Sequence, residues 1–562
     1  MAAQNHKTVI SPSPILGLNV QDSLVAMDSK YATVMSNFFS QPYGLQVRLG
    51  NVRHSTGLGG PVQTLVSHRT ADYTNTATKV FAFADTLSGK FMYNVTTPGN
   101  QARVPVVVPG AALNTAKWEG IGISNASGYN TILFSGSDEP IRLDNLGNPT
   151  RISYAPGTPV GSQIAGVNPA LLTGGCLHQK RMWMIQKDST KSWYLDPEAI
   201  FGQAYSFDFG AVFTKGGKLV ALASWTLDSG IGPDDYLVAI SSRGEIALYV
   251  GPDPSSISTF QLKGVFYTGS PLSPRAITTV AGDLLILTQF GLLSMNAAMA
   301  TSDTADAQSS AYLSQKIQYL ISTLAARLPD QFGWDVVNWP DNNMIIVNVP
   351  KGGGTYDAIP TVELMIDEEA PSPYNGSGQL VQSTITKGWA QWDNMDALCW
   401  VVNDRVLMYG DSAGNVWRAW EGHTDGAIQV DSTPGSIVEG DAITAQCQTA
   451  FNYFGSETSV KHAKMVRPIF IGNSRVPYSV IVNPDFEYDS TSSSGAASSN
   501  VGSLWDRGKW DDAKWKGSIR TQKLWNAVSG IGTAFALRLA FNTAAPVLWA
   551  AYDFMYEDGR NI

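Results

Sequence analysis

The chain alternates short apolar runs with polar or glycine-containing turns, and one unit of this pattern recurs seven times. Each unit is an apolar β-like run, a turn and a second apolar run. The units follow one another at roughly 50 to 60 residues, a period typical of repeat architectures and long enough for the four strands of a propeller blade. The first runs of the seven hairpins begin at Val80, Thr131, Met182, Tyr236, Leu284, Met344 and Val406.

A single sheet of this size cannot bury its own apolar face, so neighbouring units must stack on one another around an axis. The pattern therefore predicts a mainly β fold, with a β-propeller of about seven repeated hairpin units over residues 61–439.

Two departures from the repeat lie in the first two thirds of the chain. Residues 1–60 are punctuated by proline and glycine and are predicted to be an extended arm, with at most one short helix near residues 29–38. Residues 303–328 are predicted to be an inserted amphipathic helix, which Asp303 or Asp306 caps and Pro329 ends. Its apolar stripe consists of Leu313, Ile317, Leu320, Ile321, Leu324 and Leu328.

The third departure is the C-terminal segment, residues 440–562, which is predicted to be a small β-domain. Strand-like runs occupy 466–471, 478–482, 534–541 and 547–556. Between them, the Ser- and Gly-rich stretch 489–503 lacks the apolar residues needed to fold alone and is predicted to be a flexible excursion.

A tryptophan series follows that excursion: Trp505, Trp510, Trp515 and, ten residues on, Trp525. A five-residue step fits neither one face of a strand nor one face of a helix, so an irregular ribbon is expected. The rings either pack on the C-terminal domain of their own chain or insert into a neighbouring subunit or an appendage. The second possibility is open because tryptophan is enriched among interface anchors. These four residues are the candidate interface site.

Composition restricts the partners and the compartment. Lys and Arg number 38 against 47 Asp and Glu, a net charge of −9, which is the wrong sign for gripping nucleic acid through its phosphates. The three cysteines lie far apart, without metal-ligand spacing, and are expected to be reduced and buried. No apolar run has the length of a signal peptide core or a membrane span, so a protein made in a cytoplasm, without stable membrane insertion, is expected.

A search for catalytic chemistry finds none in the sequence. The six histidines form no metal-binding pattern, and neither a nucleophile elbow nor a phosphate loop is present. The acidic triplet Asp367, Glu368 and Glu369 could supply a carboxylate pair for glycoside cleavage, but its surroundings indicate a solvated loop. The sequence therefore predicts no catalytic, cofactor-binding or metal-binding residues, no cofactor and no enzyme activity.

Several extended stretches resemble the tail proteins of short-tailed bacteriophages. They are NVQDSLVAMDSKYATVMSNFF and its continuation (19–58), FDFGAVFTKGGKLVALASWTL and its continuation (207–256), AITTVAGDLLILTQFGLLSMN (276–296), DQFGWDVVNWPDNNMIIVNVP (330–350) and LWDRGKWDDAKWKGSIRTQKL and its continuation (504–543). Over nearly its whole length the chain is similar to the tail nozzle, also called the tail hub or tail tubular protein B. The family supplies no catalytic residues to carry over.

This resemblance implies a structural virion protein, located in the tail and assembled in the host cytoplasm. Its subunits would form a ring, a hexamer by the resemblance, below the tail adaptor protein, with surfaces for tail fibre or spike proteins. Double-stranded DNA would pass without tight binding, and the negative net charge predicts a bore in which Asp and Glu exceed Lys and Arg.

Two alternative functions remain open from the sequence. One is a propeller-based glycan hydrolase or receptor-binding tail protein, which a carboxylate pair on the propeller axis would favour. The other is a monomeric propeller interaction module, which the oligomeric state would separate from a ring-forming subunit.

Overall fold

The computed structural model of the protein describes most of the chain, and it is mainly β, with 55% of residues in strands and 6% in helices. The described residues are 6–70, 78–99, 103–228, 233–256, 258–300, 311–329, 331–350, 378–429, 437–473, 476–487, 493–495 and 520–559. None of the helices in these ranges is long and apolar enough to cross a membrane.

The N-terminal segment contributes strands to three different sheets. The strands are β1 (His6–Pro12), β2 (Gly17–Leu18), β3 (Tyr31–Ser36), β4 (Phe38–Gln41), β5 (Gly44–Val47) and β6 (Asn51–Ser55). Residues 29–38, where the sequence allowed a short helix, instead contain all of β3 and the first residue of β4.

The next two units are four-stranded antiparallel blades, in which each strand pairs with the one before it. Blade 1 consists of β7 (Val62–Arg69), β8 (Thr78–Thr86), β9 (Gly89–Asn94) and β10 (Pro105–Val106). Blade 2 consists of β11 (Glu119–Asn125), β12 (Gly128–Phe134), β13 (Ile141–Leu143) and β14 (Pro149–Arg151).

A small parallel sheet lies in the connections around blade 3. In chain order, the strands of this region are β15 (Ser153–Ala155), β16 (Gln163–Ala165), β17 (Leu172–His178), β18 (Arg181–Gln186), β19 (Lys191–Tyr194), β20 (Gly202–Gln203) and β21 (Tyr205–Asp208). Blade 3 is β17, β18, β19 and β21, while β15, β16 and β20 form the parallel sheet. The β17–β18 hairpin turns through Gln179 and Lys180, both with positive φ.

Blades 4 and 5 repeat the meander. Blade 4 consists of β22 (Leu219–Asp228), β23 (Pro233–Ser241), β24 (Glu245–Val250) and β25 (Gln261–Tyr267). Blade 5 has three strands, β26 (Ile277–Val280), β27 (Asp283–Thr288) and β28 (Gly291–Ser294).

The predicted inserted helix is present but much shorter than 303–328. Helix α1 (Met295–Ala300) continues directly from blade 5, and after a 3₁₀ turn at Gln315–Ile317 helix α2 runs from Gln318 to Arg327. Ile317, Leu320, Ile321 and Leu324 are buried, so the apolar stripe packs on the core. Asp303 and Asp306 lie outside the described residues.

The next strands divide between a long sheet and the last blade. Strands β29 (Asp335–Trp339), β30 (Met344–Val349), β31 (Gly378–Ser383) and β32 (Trp389–Trp392) begin an 11-stranded sheet. Strands β33 (Cys399–Asn403), β34 (Val406–Gly410) and β35 (Val416–Ala419) form blade 6. Three short strands follow, β36 (Thr424–Asp425), β37 (Ala427–Gln429) and β38 (Ile437–Val438).

The C-terminal segment contains strands at all four predicted places. They are β39 (Asp441–Thr449), β40 (Lys461–Gly472), β41 (Tyr478–Pro484), β42 (Ser493–Gly495), β43 (Arg520–Lys523), β44 (Asn526–Gly532), β45 (Phe535–Thr543) and β46 (Val547–Asp558).

The two ends of the chain build two large sheets together. The 11-stranded sheet has the order β29-β30-β31-β32-β2-β3-β39-β45-β41-β42, with β36 paired to β39. The seven-stranded sheet has the order β4-β5-β46-β40-β43, with β1 paired to β46 and β44 to β40. Phe470 of the second sheet and Phe541 of the first meet edge to face with ring centroids 5.1 Å apart, so the sheets share a core. The division of the chain into arm, propeller and C-terminal domain stays a sequence-based prediction.

The predicted β-propeller is confirmed, and its arrangement is six-bladed where about seven units were predicted. The unit that starts at Met344 belongs to the 11-stranded sheet rather than to a blade of its own. Its strands β30 and β31 are buried at every position. Met344 and Ile346 pack with blade 6, whereas Ile345 and Val347 belong to the cluster that contains Leu285 of blade 5. The long sheet therefore fills the place between these two blades.

An N-terminal strand closes the propeller. Strand β6 pairs antiparallel with β35, with Ser55 opposite Val416 and Asn51 opposite Ala419. Val52 is only 1% exposed. The last blade is therefore completed by a strand from the other end of the chain.

Candidate functional site

The first strands of the blades converge on an axial cavity of about 640 Å³. Residues from β7, β11, β17, β22, β26 and β33 line it, and β29 of the long sheet contributes Asp335. A cavity of this size lies within the range of roughly 300–1,000 Å³ that is usual for small-molecule sites. It is the candidate functional site.

Arg275, which precedes β26, ties blade 5 to blades 1 and 2 at the wall of this cavity. Its Nε donates to Glu119 Oε1 at 2.6 Å, and its Nη1 donates to the Gln63 carbonyl at 3.1 Å. Its Nη2 donates to Thr64 Oγ1 and to the Trp118 carbonyl, both at 2.9 Å. Four of the five guanidinium N–H groups thus serve the protein itself.

The face of this guanidinium is covered as well. The Phe332 ring lies 5.1 Å from Arg275 Cζ, and Lys117 Nζ lies 4.4 Å from the same ring. Burial alone would lower the pKa of Arg275, but the carboxylates of Glu119 and Asp335 outweigh it and raise this pKa above its usual value. The guanidinium is therefore a fixed positive charge.

Asp335 and Glu119 line the cavity in different electrostatic environments. Burial raises the pKa of the Asp335 carboxyl to about 7, with Arg275 opposing and Glu119 reinforcing the shift. Glu119 shares one oxygen with Arg275, and 36% of its side chain is exposed. Two carboxyl groups in such different environments are the usual starting point for acid–base chemistry.

Histidines hold two of the hydroxyl groups that line the cavity. His68 Nδ1 lies 2.9 Å from Thr131 Oγ1, and its Nε2 lies 2.8 Å from the Asp144 carbonyl. His178 Nδ1 lies 2.9 Å from Ser224 Oγ. Burial lowers the pKa of both rings, that of His178 to about 4, so both are neutral at pH 7. They position hydroxyl groups and add no charge.

Tyr129 completes the wall, whereas the neighbouring Trp118 and Trp400 rings are buried against Phe83 and Tyr409. A Cβ atom added to Gly122 would come within 2.3 Å of the Tyr129 hydroxyl oxygen, so glycine at this position allows the Tyr129 side chain to cross β11. Alanine would displace that side chain.

None of the four predicted interface residues lines this cavity in the part of the chain that the structure describes. Trp505, Trp510 and Trp515 lie outside the described residues, as do Asp367, Glu368 and Glu369. Trp525 lies between β43 and β44, half-buried, with the Arg467 guanidinium carbon 4.6 Å from its ring centroid. Within the described ranges, no group of three or more His, Cys, Asp or Glu residues is arranged to hold a metal ion.

Sequence reasoning missed Arg275, Glu119 and Asp335. A signal for two of them existed, since Glu119 and Asp335 each occupy the first position of an inner strand. Both residues line the cavity, but only the assembled ring reveals that they share it.

Comparisons with known proteins assign no family. No family model matches the chain, and no curated protein matches it. Among solved structures, the computationally designed Ika8 protein is 10% identical with a TM-score of 0.34, covering 73% of this chain and 100% of the designed one. The Cps50 (Swd1) β-propeller domain of Myceliophteria thermophila is 13% identical with a TM-score of 0.36, covering 65% and 99%.

A third structure is a glycoside hydrolase family 43 arabinoxylan arabinofuranohydrolase from Bacillus subtilis, in complex with cellotetraose. It is 11% identical with a TM-score of 0.25, covering 90% of this chain and 96% of the enzyme. At these identities and TM-scores, the three likenesses assign neither a family nor an activity to the chain.

Proposed function

We propose that this protein is the structural subunit of the tail nozzle of a short-tailed bacteriophage. Six copies would form a ring below the tail adaptor protein, extend the DNA ejection channel and present surfaces to fibre or spike proteins. The proposal rests on the sequence resemblance across residues 19–58, 207–256, 276–296, 330–350 and 504–543. Such a protein would be assembled in the host cytoplasm and reside in the virion tail.

The observation that carries the proposal furthest is the closure of the subunit by its own chain ends. Strand β1 pairs with β46 over seven residues, from His6 opposite Glu557 to Pro12 opposite Ala551. Strand β6 completes the last blade. A component of a pressurised channel must resist opening, and strands from both ends of the chain joined in the same sheets give that resistance.

The charge of the chain supports passage of DNA without retention. A net charge of −9 repels phosphate, and this repulsion acts over a screening length of about 8 Å at physiological ionic strength. We propose that the bore is lined by more Asp and Glu than Lys and Arg. A continuous stripe of basic side chains along the bore would contradict this.

The DNA channel would run between subunits and not along the propeller axis. The axial cavity has a volume of only about 640 Å³ and is crossed by the Arg275 side chain. A duplex whose major groove alone is about 12 Å wide needs far more room. A ring of subunits around a shared axis supplies it.

The test is the mass and symmetry of the purified protein, measured with and without the adaptor by mass photometry and electron microscopy. A closed ring, or a ring that forms when adaptor is added, supports the nozzle. Tail particles that carry the chain as isolated peripheral monomers would overturn it, and a monomer that ignores the adaptor would favour an interaction module.

A second candidate function is a glycan hydrolase or receptor-binding tail protein. The observation in its favour is the pair of carboxyl groups, Glu119 and Asp335, in one axial cavity. If the protein cleaves host-envelope glycans, Glu119→Gln and Asp335→Asn should each abolish product formation measured by chromatography. Intact glycans after incubation with the native protein would remove the hydrolase.

A further inference from the structure

The axial cavity contains more negative than positive groups. Asp335 and Glu119 are its carboxyl groups, and Arg275 is the guanidinium between blades 1, 2 and 5. Because Arg275 directs four N–H groups to Glu119, Gln63, Thr64 and Trp118, at most one N–H remains for a ligand. Arg275 compensates the charge of Glu119, so an anion entering this space would still meet the carboxylate of Asp335 whenever that group is ionised.

We propose that the axial cavity binds an ammonium or guanidinium group, of the kind carried by lysine and arginine, with Asp335 and Glu119 as its carboxylate partners. This site is independent of the nozzle role, whereas glycan cleavage would use the same two carboxyl groups. A small cationic molecule and a basic side chain of a peptide both carry the required chemistry.

The walls suit such a group. Tyr129 lines the same cavity, and an aromatic ring attracts cations through its electron-rich face. Ser224 and Thr131 add hydroxyl oxygens, each beside a neutral histidine. Carboxylates that accept charge-assisted hydrogen bonds beside aromatic rings bind cations in preference to neutral molecules of the same shape.

Asp335 gives the site a pH dependence. The groups around it are the Arg275 guanidinium, the Glu119 carboxylate, the Cys399 thiol and the backbone amides of Val336 and Trp400. Burial raises the pKa of Cys399 to about 12, so this thiol stays neutral and Asp335 is the group that titrates. A bound cation stabilises the ionised form of Asp335, so binding near pH 7 releases a proton.

The experiment is isothermal titration of the full-length protein with ethylguanidinium, ethylamine and the neutral shape analogue N-ethylurea. Because Asp335 has a pKa of about 7, it is mostly protonated at about pH 6 and mostly ionised at about pH 8. We expect guanidinium affinity to rise about tenfold between these two values, in proportion to the ionised fraction. Titration in two buffers of different ionisation enthalpy should show proton release.

Variants separate the site from the rest of the surface. Asp335→Asn should weaken binding at pH 8 at least tenfold and remove the pH dependence. Asp341→Asn, six residues further on and beside Arg405 outside the cavity, is the matched control and should bind as the native protein does. If Asp335→Asn fails to fold, proton release by the native protein still decides the question.

Three outcomes would overturn the proposal: no heat with either cation, equal affinity for N-ethylurea, or unchanged binding by Asp335→Asn. A capped Gly-Arg-Gly peptide is the last titrant. Binding much tighter than that of ethylguanidinium identifies a peptide side chain as the source of the cation, and equal or weaker binding identifies a small molecule. Both results support the same site, which is separate from the ring assembly that tests the nozzle.

Discussion

Arg48 holds both carboxylate oxygens of Asp425, with Nη1 2.7 Å from Oδ1 and Nη2 2.5 Å from Oδ2. The Arg48 side chain is fully buried, and its Nε donates to Asn37 Oδ1 at 2.7 Å. Arg48 directly follows β5 of the seven-stranded sheet, whereas Asp425 ends β36 of the 11-stranded sheet. The ion pair therefore fastens the two terminal sheets to each other.

Removal of this arginine should strongly destabilise the protein. We expect Arg48→Met to lower the free energy of unfolding by about 3–5 kcal/mol, because Asp425 is left without its partner in a mostly buried place. Urea unfolding followed by tryptophan fluorescence measures the loss. The control is Lys180→Met, which breaks an exposed pair with Glu198 and should leave the free energy of unfolding nearly unchanged. Equal losses would contradict the structural role of the buried pair.

Asp335 should make the protein less stable as the pH rises towards neutrality. Its pKa is about 7 in the folded protein against 3.8 ordinarily, so between these values the folded state binds the additional proton. Stability then falls with rising pH, by as much as about 1.4 kcal/mol per pH unit. Asp335→Asn should lack this component in unfolding midpoints recorded from acidic to neutral pH. A native-minus-variant stability difference that grows with pH would refute the assignment.

His54 and His178 should make the protein less stable as the pH falls, which is opposite to the effect of Asp335. Burial lowers the pKa of each to about 4 from 6.5, so within this window the unfolded state binds more protons. Their contribution to stability is complete above about pH 6.5 and is lost as the pH falls towards 4. The His178→Gln variant should lose less stability than the native protein when the pH falls from 6.5 to about 4. The measurement is the ratio of the urea unfolding midpoints at these two pH values.

Alanine variants of the tryptophan series distinguish a role in ring assembly from a role in the stability of the subunit. If Trp510 and Trp515 anchor a neighbouring subunit or an appendage, alanine at either position should prevent ring assembly while the thermal unfolding of the subunit stays unchanged. Trp525 is the internal reference, because it packs beneath Arg467 of its own chain. Trp525→Ala should lower subunit stability. Equal losses of subunit stability in all three variants would leave only packing within the chain.

The repeat pattern predicted the hairpins well because apolar alternation is local. It miscounted the blades because the Met344 hairpin has the same pattern as the others, yet its sheet continues through β32 to β2 and β3. No local signal distinguishes these cases. Helix α2 was predicted from its stripe, but it begins at Gln318, well after the proposed caps.

The residues of the candidate site could not be predicted from the sequence, because their contacts join segments that are far apart in the chain. Arg275 meets Glu119 across 156 residues, and Arg48 meets Asp425 across 377. These contacts follow from the closure of a ring and from sheets shared by both chain ends, which depend on the order of units around the axis. That order cannot be deduced from the local pattern of a single sequence.

Strand β6 has a consequence for synthesis of the protein on the ribosome. Ser55 emerges early, but its partner Val416 is made about 360 residues later. At about 5–20 residues per second, the strand waits roughly 20–70 s with its edge unpaired. The propeller cannot close during translation of its first five blades, and β1 waits longer still for β46. Nascent chains of this protein therefore carry open strand edges until β46 has been made, which favours expression at low temperature and with chaperones that shield such edges.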